Sequence, residues 1–582
     1  MPELRPVRIA NCSGFYGDRL SAAKEMVEGG PIDVLSGDWL AELTMLILVR
    51  ERMKDPKAGY AKTFLKQLEQ VLGTCLERGI KIVSNAGGVN PHAMADAVRA
   101  AAAAAGLSPR IAVVTGDDVM DRLGGWNDQG VLRHLESGQP LQPTDGMAMA
   151  ANAYLGAWGV TEALKRGADI VITGRVTDAA LVVGPAAWWH DWATDDWDAL
   201  AGALVAGHVI ECGTQATGGN YSRFEEVGSF HEVGFPLAEI ARDGSCVITK
   251  HEGTGGRVNA GTVTAQLLYE IGGASYFSPD VIARFDTIQL TDLGDDRVQI
   301  SGVRGLSPTP NLKAGVLLAA GFRNEATFVL GGDRITEKTA LLDDVFWKSV
   351  GGKARFMEAR TDVLRADLSP DVPVWLRLSR VVVSAKHVDP GELGRNFTNK
   401  AIELMLSTIP GITLEDLPGS PRPCGVFWPT LVPRDEVTVS LLIDGETVTV
   451  PHPPLKATPF DAPADTTPAA PAGPTIRGPL GRLALSRSGD KAGNANVGFW
   501  VTDPAAFRWL VATVNEPALR GWLSGFDGEI RIHALPNLLA INVELIGWLG
   551  RGVAENLKPD SQAKCLAEAL RTAEVEIPVA LL

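Results

Sequence analysis

The chain has 582 residues, a length that exceeds one hydrophobic core and predicts about two to four domains. Hydrophobic residues make up 45% and charged residues 21% of it, which is typical of a globular protein. The net charge of −15 argues against nucleic acid or an anionic membrane as the main partner, because both bind basic surfaces.

The start of the chain and its cysteines predict a cytoplasmic location. MPELRPVRIANC lacks the apolar centre of a signal peptide, and no apolar run of membrane-spanning length follows it. The cysteines show neither CxxC spacing nor the density of a disulfide framework, which is typical of reduced thiols. They are Cys12, Cys75, Cys212, Cys246, Cys424 and Cys565.

Five short apolar runs in residues 1–192 each end in small polar residues and lead into a helical stretch. They are Val7–Ala10, Ile32–Leu35, Ile80–Val83, Ile111–Val114 and Ile170–Ile172. This pattern predicts an α/β region with a Rossmann-like, mostly parallel sheet covered by helices. Ligands bind such sheets at the carboxyl ends of the strands. We therefore expect one crevice lined by Asn11, Asp38, Asn85, Asp117 and Arg175, with the Gly87-Gly88 turn beside them.

Several features near this crevice leave alternatives open. Glu42 either points into the crevice or solvates its helix. Asp117-Asp118 could hold Mg²⁺, but we favour helix capping or hydrogen bonding to substrate, and we expect no metal. Asp178 stands where a helix N-cap is expected, ahead of Ala179–Leu181. Met149–Arg166 predicts a long helix that leads into this corner.

The segment after Trp192 changes character. Gly207–Tyr221 is rich in Gly and Thr, which predicts strand, turn and loop; it contains Cys212 and Gln215. Cys212 is either a nucleophile whose pKa a histidine lowers, His208 or His251, or a half-buried thiol.

A second glycine cluster spans Lys250–Asn259. It is either an anion-binding loop formed by Lys250, Gly253, Gly255, Gly256 and Arg257, or a turn that needs positive φ angles. His251 and Glu252 are the acid–base pair that we expect to be catalytic, because a histidine exchanges protons near neutral pH. A histidine that only caps the turn is the alternative.

The last part of the chain contains a linker and a separate domain. Residues 451–479 are rich in Pro and Ala, which predicts a linker without regular secondary structure. Residues 480–582 predict a small α+β, ferredoxin-like domain with a helix over Val543–Leu549. Its polar loop SRSGDKAGNAN, with Arg487, Asp490, Lys491 and Asn494, either closes the main site or forms a solvated hairpin.

No cofactor motif is present: the sequence lacks GxGxxG after the first strand, GxxxxGK[ST], HExxH and GxSxG. We therefore expect no cofactor. A Rossmann-like sheet alone is weak grounds for NAD.

Seven motifs, in order, resemble the acyclic terpene utilisation protein A family over roughly residues 5–450. They are RIANCSGFYGDRL, DVLSGDWLAELTM, IKIVSNAGGVNP, IAVVTGDDV, ANAYLGAWGVTEALKRGADIVITGRVTDAALVVGP, GHVIECGTQATGGN and VITKHEGTGGRVNAGTV. LSRSGDKAGNANVGFWV resembles the ferredoxin-fold domain often joined to that family. The expected domains are 1–450, divided at 192/193, and 480–582.

The resemblance implies catabolism of citronellol- and geraniol-type terpenes through branched acyl-CoA esters. We expect a cytoplasmic, homo-oligomeric enzyme that acts on a branched acyl-CoA or related carboxylate, most simply a lyase or hydratase that uses acid–base chemistry. The alternatives are a hydrolase that uses Cys212 or an activated water, and a non-catalytic partner subunit of an acyl-CoA carboxylase. The resemblance implies site positions at Asp38, Glu42, Asn85, Asp117, Arg175, Asp178, Gln215, His251 and Glu252.

Overall fold

The structure, a computed structural model, describes residues 5–456 and 473–582. The first part of the chain alternates strands and helices. Its elements are β1 (Val7–Asn11), α1 (Ala22–Glu28), β2 (Val34–Gly37), α2 (Glu42–Lys54), α3 (Lys62–Arg78), β3 (Lys81–Ser84), α4 (Pro91–Ala104), β4 (Ile111–Thr115), α5 (Leu123–Asp128), β5 (Met147–Ala153), α6 (Trp158–Lys165), β6 (Ile170–Thr173), α7 (Ala180–His190), α8 (Trp197–Ile210), β7 (Pro236–Ile240) and β8 (Cys246–Lys250).

The middle part is mainly β-structure. Its elements are α9 (Ala260–Leu267), β9 (Ser275–Phe277), β10 (Ile282–Arg284), β11 (Gln289–Gly294), β12 (Arg297–Ser301), β13 (Arg304–Leu306), β14 (Asn311–Gly331), α10 (Ile335–Ser349), β15 (Glu358–Leu364), β16 (Leu378–His387), α11 (Arg395–Glu403), β17 (Ile412–Leu414), β18 (Arg422–Pro433), β19 (Val439–Ile443) and β20 (Glu446–Val450).

The C-terminal part is a separate α+β unit. Its elements are β21 (Thr475–Pro479), β22 (Leu485–Lys491), β23 (Asn494–Trp500), α12 (Pro504–Thr513), α13 (Glu516–Trp522), β24 (Ile530–Leu535), β25 (Ala540–Leu545), α14 (Leu566–Leu570) and β26 (Glu574–Pro578).

The main sheet is mixed. Among the described residues it has eleven strands in the order β11-β12-β8-β7-β1-β2-β3-β6-β4-β19-β20. The five strands from β1 to β4 in this order are parallel, and the other strands pair antiparallel on both sides of them. The prediction of a mostly parallel sheet is therefore wrong for the sheet as a whole. Three hairpins from later in the chain, β7–β8, β11–β12 and β19–β20, extend it, and strands joined by hairpins pair antiparallel.

The parallel strands are buried on both faces, as their continuous apolar sequences predict. One face packs on α1, α3 and α4 through side chains such as Met26, Phe64 and Met94. The other face packs on α6, α7 and α8 through side chains such as Val160 and Leu204. This double covering leaves the carboxyl ends of the strands as the open edge of this part of the fold.

A second sheet is built around the long strand β14. β5, β16, β17 and β18 all pair with it antiparallel, and β15 pairs with β16. The predicted helix over Met149–Arg166 is wrong: β5 occupies its first part and α6 its second. Pairing with β14 overrides the helix propensity of the alanine-rich segment, because strand preference depends strongly on such contacts.

The predicted loop at Gly207–Tyr221 is wrong in its first residues, since α8 continues to Ile210. A Cβ at Gly207 would lie 2.9 Å from the Cα of Ala179. Glycine is present here because the backbones of two segments approach closely, and it does not mark a turn. The helix therefore ends at the residue before Glu211, on the wall of the cavity described below.

The C-terminal unit has an antiparallel sheet in the order β22-β23-β25-β24 and its own core, which contains Phe499, Trp509 and Val543. The predicted helix over Val543–Leu549 is wrong, because β25 occupies its first residues and pairs on both sides. The linker prediction also fails at Thr475–Pro479, which forms β21 against β26. Residues 457–472 of that linker lie outside the described residues.

Within residues 5–456 and 473–582, every helix is too short or too polar to cross a lipid bilayer.

Candidate functional site

A cavity of about 1570 Å³ lies at the carboxyl ends of the parallel strands. Gly14 follows β1, Asp38 follows β2, and Arg175, Thr177 and Asp178 follow β6; all of them line it. The opposite wall includes residues of the middle part and of the C-terminal unit, among them Lys313, Asp490 and Glu544. The site is therefore closed by three regions that are distant in sequence.

The strand ends are joined by buried side-chain hydrogen bonds. Asn85 donates to Asp38 Oδ1 at 2.6 Å and accepts from the backbone N–H of Trp39 at 2.8 Å. Asp117 accepts from the backbone N–H of Arg175 at 2.8 Å. Asp38 and Arg175 line the cavity, whereas Asn85 and Asp117 lie behind them, outside its lining. The four predicted side chains are thus assembled in two layers.

Asn11 also lies in the second layer. Its side-chain amide donates to the carbonyl oxygens of Ile210 and Glu211, at 2.5 and 3.1 Å. It therefore fixes the end of α8 to the end of β1.

Arg175 is the buried cation of the site. Its Nη1 donates to the carbonyl of Leu40 at 2.8 Å and to Asp178 Oδ1 at 3.0 Å. Its guanidinium lies 4.2 Å from the centre of the Tyr154 ring. Burial alone would lower the pKa of Arg175, but Tyr154, Asp178 and Asp38 raise it above its ordinary value. The group is a permanent, oriented positive charge at the cavity wall.

The surroundings of Asp38 favour its neutral, protonated form. Burial and the nearby Asp178 raise its pKa well above the ordinary value, and the effects of Arg175 and Asn85 only partly oppose them. Two carboxyl groups close together disfavour ionisation of both. Asp38 is therefore suited to hold or donate a proton.

Glu42, the first residue of α2, also lines the cavity. Burial raises its pKa to about 7, while Lys313 and Arg175 favour the ionised form and Asp490 and Glu270 oppose it. The sequence left open whether this side chain faces the crevice or the solvent. The structure places it in the crevice, with a pKa at which it exchanges protons at neutral pH.

A buried pair extends the site behind α8. His208 Nδ1 lies 3.3 Å from Glu211 Oε1, and Glu211 lines the cavity. Burial lowers the pKa of His208 to about 4 and raises that of Glu211. Burial thus favours the neutral form of both groups, in which a carboxylic acid can donate to the imidazole nitrogen.

Cys212 lines the cavity next to this pair. Burial, with Glu211 and Glu270, raises the pKa of its thiol well above the ordinary value. His208 does not activate it, since the imidazole is itself held neutral, and His251 lies elsewhere. The thiol form is favoured, whereas a nucleophilic cysteine needs a lowered pKa.

The C-terminal unit contributes charged side chains to the cavity. Lys564 lies 3.3 Å from Asp490, and His533 lies 3.4 Å from Glu544; all four residues line the cavity, and Lys491 lies beside them. The polar loop SRSGDKAGNAN therefore closes the main site, which decides between the two alternatives left by the sequence.

Specific polar contacts seat this unit on the main body. Arg487 donates to the side-chain oxygen of Gln215, a predicted site residue that lines the cavity. Asn542 donates to the carbonyls of Ile271 and Gly272, at 3.1 and 3.2 Å. Asn496 accepts from the backbone N–H of Glu270 at 2.8 Å and donates to Asn542. Its docking thus satisfies the backbone of a cavity-lining loop.

The predicted acid–base pair His251 and Glu252 lies outside this cavity. The His251 Nε2 lies 2.9 Å from the carbonyl of Met26, and its ring packs against Gly29 and Gly30. Burial lowers the pKa of His251, and Glu252 is exposed. His251 connects β8 to α1 in this structure, and we do not include the pair in the candidate site.

The predicted anion-binding loop is a self-satisfied turn. The backbone N–H groups of Gly255, Gly256 and Arg257 donate to the carbonyls of Glu232, Ser229 and Thr217. Gly253 and Gly256 have positive φ angles of 78° and 86°.

The cations predicted for that loop are also unsuitable. Lys250 forms an ion pair with Asp296 at 3.0 Å, and the Arg257 side chain is exposed. The anion-binding interpretation fails because its donors already bind protein oxygens.

The Gly87-Gly88 turn likewise packs against protein. A Cβ at Gly87 would lie 2.4 Å from the carbonyl oxygen of Thr173, and one at Gly88 would lie 2.5 Å from Leu48. Both glycines lie outside the cavity lining and allow close packing behind it.

Sequence reasoning missed several cavity residues. They include Tyr154, Glu211, Glu270, Tyr276, Lys313 and Glu544, which line the site but were not among the predicted site residues. Their segments are apolar, glycine-rich or strand-like, and only the tertiary contacts bring them together. The clearest available signal was the acidic GHVIECG motif, which contains Glu211 beside Cys212.

Among the described residues, no group of three or more His, Cys, Asp or Glu side chains has the geometry to hold a metal ion. Asp117, the first of the predicted acidic pair, instead binds the backbone of Arg175 and the side chain of Asn152.

The fold and site define a class: a mixed α/β protein whose strand-end cavity is closed by a C-terminal ferredoxin-like domain. The family model described as acyclic terpene utilisation family protein AtuA matches residues 7–443, and the model described as AtuA ferredoxin-like domain matches residues 478–576. The chain belongs to the acyclic terpene utilisation AtuA family. A search of curated proteins found no match.

Proposed function

We propose that this protein is an enzyme that moves a proton next to the carbonyl of a branched acyl-CoA or related carboxylate, in a lyase or hydratase step. The observation that carries the proposal is Glu42, whose pKa of about 7 lies in a cavity that also contains the buried Arg175. A general acid–base group works best when its pKa is near the operating pH. Glu42 replaces His251 and Glu252 in this role.

In the proposed step, the Glu42 carboxylate takes a proton from the carbon next to the carbonyl. The electron pair moves onto the carbonyl oxygen, and Arg175 stabilises the negative charge that develops there. The proton returns from Glu42 later in the cycle, so the step needs no redox cofactor. Asp178 and the Tyr154 ring keep the guanidinium in place, at 3.0 and 4.2 Å.

The size and lining of the cavity support an acyl substrate. Its volume of about 1570 Å³ exceeds that of a typical small-ligand site. Apolar side chains line it beside the polar groups, among them Leu40, Leu43, Leu135, Leu312 and Ile532. The family name refers to acyclic terpenes, which are branched and apolar. We therefore propose a branched aliphatic acyl group as the part of the substrate that enters the cavity.

We propose that β1, β2, β3, β6 and β4 serve as a Rossmann-like ligand-binding part of the mixed sheet, and that the enzyme works as a cytoplasmic homo-oligomer. A hydrolase that uses the Cys212 thiol is disfavoured, because burial raises the pKa of this thiol. We do not propose a purely non-catalytic partner role.

The test is turnover by the purified protein on a panel of branched enoyl-CoA and hydroxyacyl-CoA esters. On a substrate that is turned over, Glu42→Gln should lower kcat by roughly 10²-fold or more. Glu69→Gln, on the exposed face of α3, is the matched control and should keep wild-type kcat. Wild-type kcat in Glu42→Gln would remove Glu42 from the mechanism, and no turnover of any ester would reject the enzyme proposal for this panel.

A further inference from the structure

Two lysines face the cavity without an acidic partner. Lys313 lies on β14, and Lys491 ends β22; both line the cavity. Among the described residues, no carboxylate oxygen lies within 4.0 Å of either ammonium nitrogen. Lys491 donates to the carbonyl of Glu270 at 3.1 Å, and Lys313 lies 4.9 Å from the Tyr154 ring centre. The Lys491 ammonium is thus stabilised by a carbonyl dipole, and the Lys313 ammonium by the face of an aromatic ring.

The acids around these lysines are engaged elsewhere. Two of them are paired with other cationic side chains, Asp490 with Lys564 and Asp178 with Arg175, and Glu544 lies 3.4 Å from a ring nitrogen of His533. Two more, Glu42 and Glu270, are less acidic than ordinary glutamates, because burial raises the pKa of each. The positive charge of the two lysines is therefore incompletely neutralised by the protein.

The charge of Lys313 acts on the ammonium group of Lys491. Burial lowers the pKa of Lys491, and the neighbouring Lys313 lowers it further, while Glu544 and Glu270 act in the opposite direction. Two like charges near each other in a partly desolvated cavity are unfavourable. An anion bound between them would relieve both the desolvation and the repulsion, because charge-assisted hydrogen bonds to a carboxylate are strong.

We propose that Lys313 and Lys491 form a subsite for a second, free carboxylate on the acyl part of the substrate. This inference rests on the proposed function and makes its substrate class a CoA thioester of a branched dicarboxylic acid. The phosphates of CoA could supply the same charge, but Lys313 shares the Tyr154 ring with Arg175. The phosphates are separated from the reacting carbonyl by the pantetheine arm, so the acyl carboxylate is the occupant.

The test compares two thioesters that differ mainly in this carboxylate, 3-methylglutaryl-CoA and isovaleryl-CoA, with CoA itself as the third probe. Their Kd values are measured by calorimetry on the full chain. The wild type should bind 3-methylglutaryl-CoA about 10- to 150-fold more tightly than isovaleryl-CoA. Lys491→Met and Lys313→Met should each reduce this ratio towards one, and Lys491→Arg should retain most of it. Lys66→Met, on the exposed face of α3, is the matched control.

Three results would overturn the subsite. The first is that the wild type binds the two thioesters with equal Kd or binds neither. The second is that the preference for 3-methylglutaryl-CoA survives in both Met variants. The third is that these variants lose as much affinity for CoA as for 3-methylglutaryl-CoA, which would assign the lysines to phosphate. The same ratio is measured in Glu42→Gln, where turnover is not required. If this preference is retained while the wild type turns over no ester of the panel, the acid–base proposal is refuted and the subsite stays in place.

Discussion

Asp38 accepts a hydrogen bond of 2.6 Å from the side-chain amide of Asn85, and this contact joins the carboxyl ends of β2 and β3 directly behind the cavity wall. Asn85 is fully buried and also accepts from the backbone of Trp39. The Asn85 amide therefore hydrogen-bonds both to the carboxyl group of Asp38, which lines the cavity, and to the backbone N–H of the next residue, Trp39. The arrangement explains why a polar residue is retained at a position where no ligand can reach it.

Replacement of Asn85 tests this role. Asn85→Ala leaves the buried Trp39 N–H without its partner and removes one of the two donors to Asp38 Oδ1, which still accepts from the Leu40 N–H, so we expect a loss of about 1–3 kcal/mol in the free energy of unfolding. Asn399→Ala, at an exposed position of α11, should change it by less than about 0.5 kcal/mol. Urea unfolding followed by tryptophan fluorescence measures both. Equal stability of the two variants would show that the contact is dispensable.

The pKa of Glu42 predicts a pH dependence of stability. The folded pKa of about 7 lies above the ordinary value of 4.5, so the unfolded chain releases this proton first as the pH rises. The contribution of Glu42 to stability therefore falls between these two values, by about 3 kcal/mol in all.

Glu42→Gln removes that titration. Relative to wild type, the variant should gain up to about 3 kcal/mol in stability at pH 8 compared with pH 4.5. Chemical unfolding of both proteins at the two pH values measures the difference, with Glu69→Gln as the control. Parallel pH profiles for wild type and Glu42→Gln would contradict the raised pKa.

Cys212 should react slowly with alkylating agents. Burial raises the pKa of its thiol, whereas Cys565 is exposed. Since the thiolate is the reactive form, iodoacetamide at pH 7.5 should modify Cys212 at least about tenfold more slowly than Cys565. Peptide mass spectrometry over time gives both rates in one sample. Faster modification of Cys212 would restore the thiol hydrolase as a candidate.

The Asn496–Asn542 pair should couple the C-terminal domain to the cavity loop. Asn496 accepts from the Glu270 N–H, and Asn542 donates to the next two carbonyls. Each single Ala variant should lose about 1–3 kcal/mol, and the double variant should lose less than the sum. Unfolding midpoints of the four proteins in this cycle measure the coupling. Strict additivity would show that the two side chains act independently.

Part of this architecture follows from the sequence alone. Each of the five apolar runs became a parallel strand, because a short strand buried on both faces needs a continuous apolar sequence. The polar residues after these runs, Asp38, Asn85, Asp117 and Arg175, gather for the same reason, since parallel strands end at one edge. The Asp444-Gly445 turn also follows from the sequence, since Asp-Gly is typical of a tight hairpin turn: β19 and β20 form a hairpin around it, with positive φ at both residues.

The tertiary structure decided the rest of the site. His251 follows a strand as Arg175 does, but β8 lies two strands beyond β1 in the sheet, and there His251 contacts Met26 of α1, outside the cavity. Lys313 stands in a strand whose local pattern gives no chemical signal, and the polar loop that contains Lys491 left two placements open; 178 positions separate the two lysines, from 313 to 491. Local periodicity reports which face of an element is buried. It does not report which distant element covers that face, and here the covering elements supply the second half of the cavity.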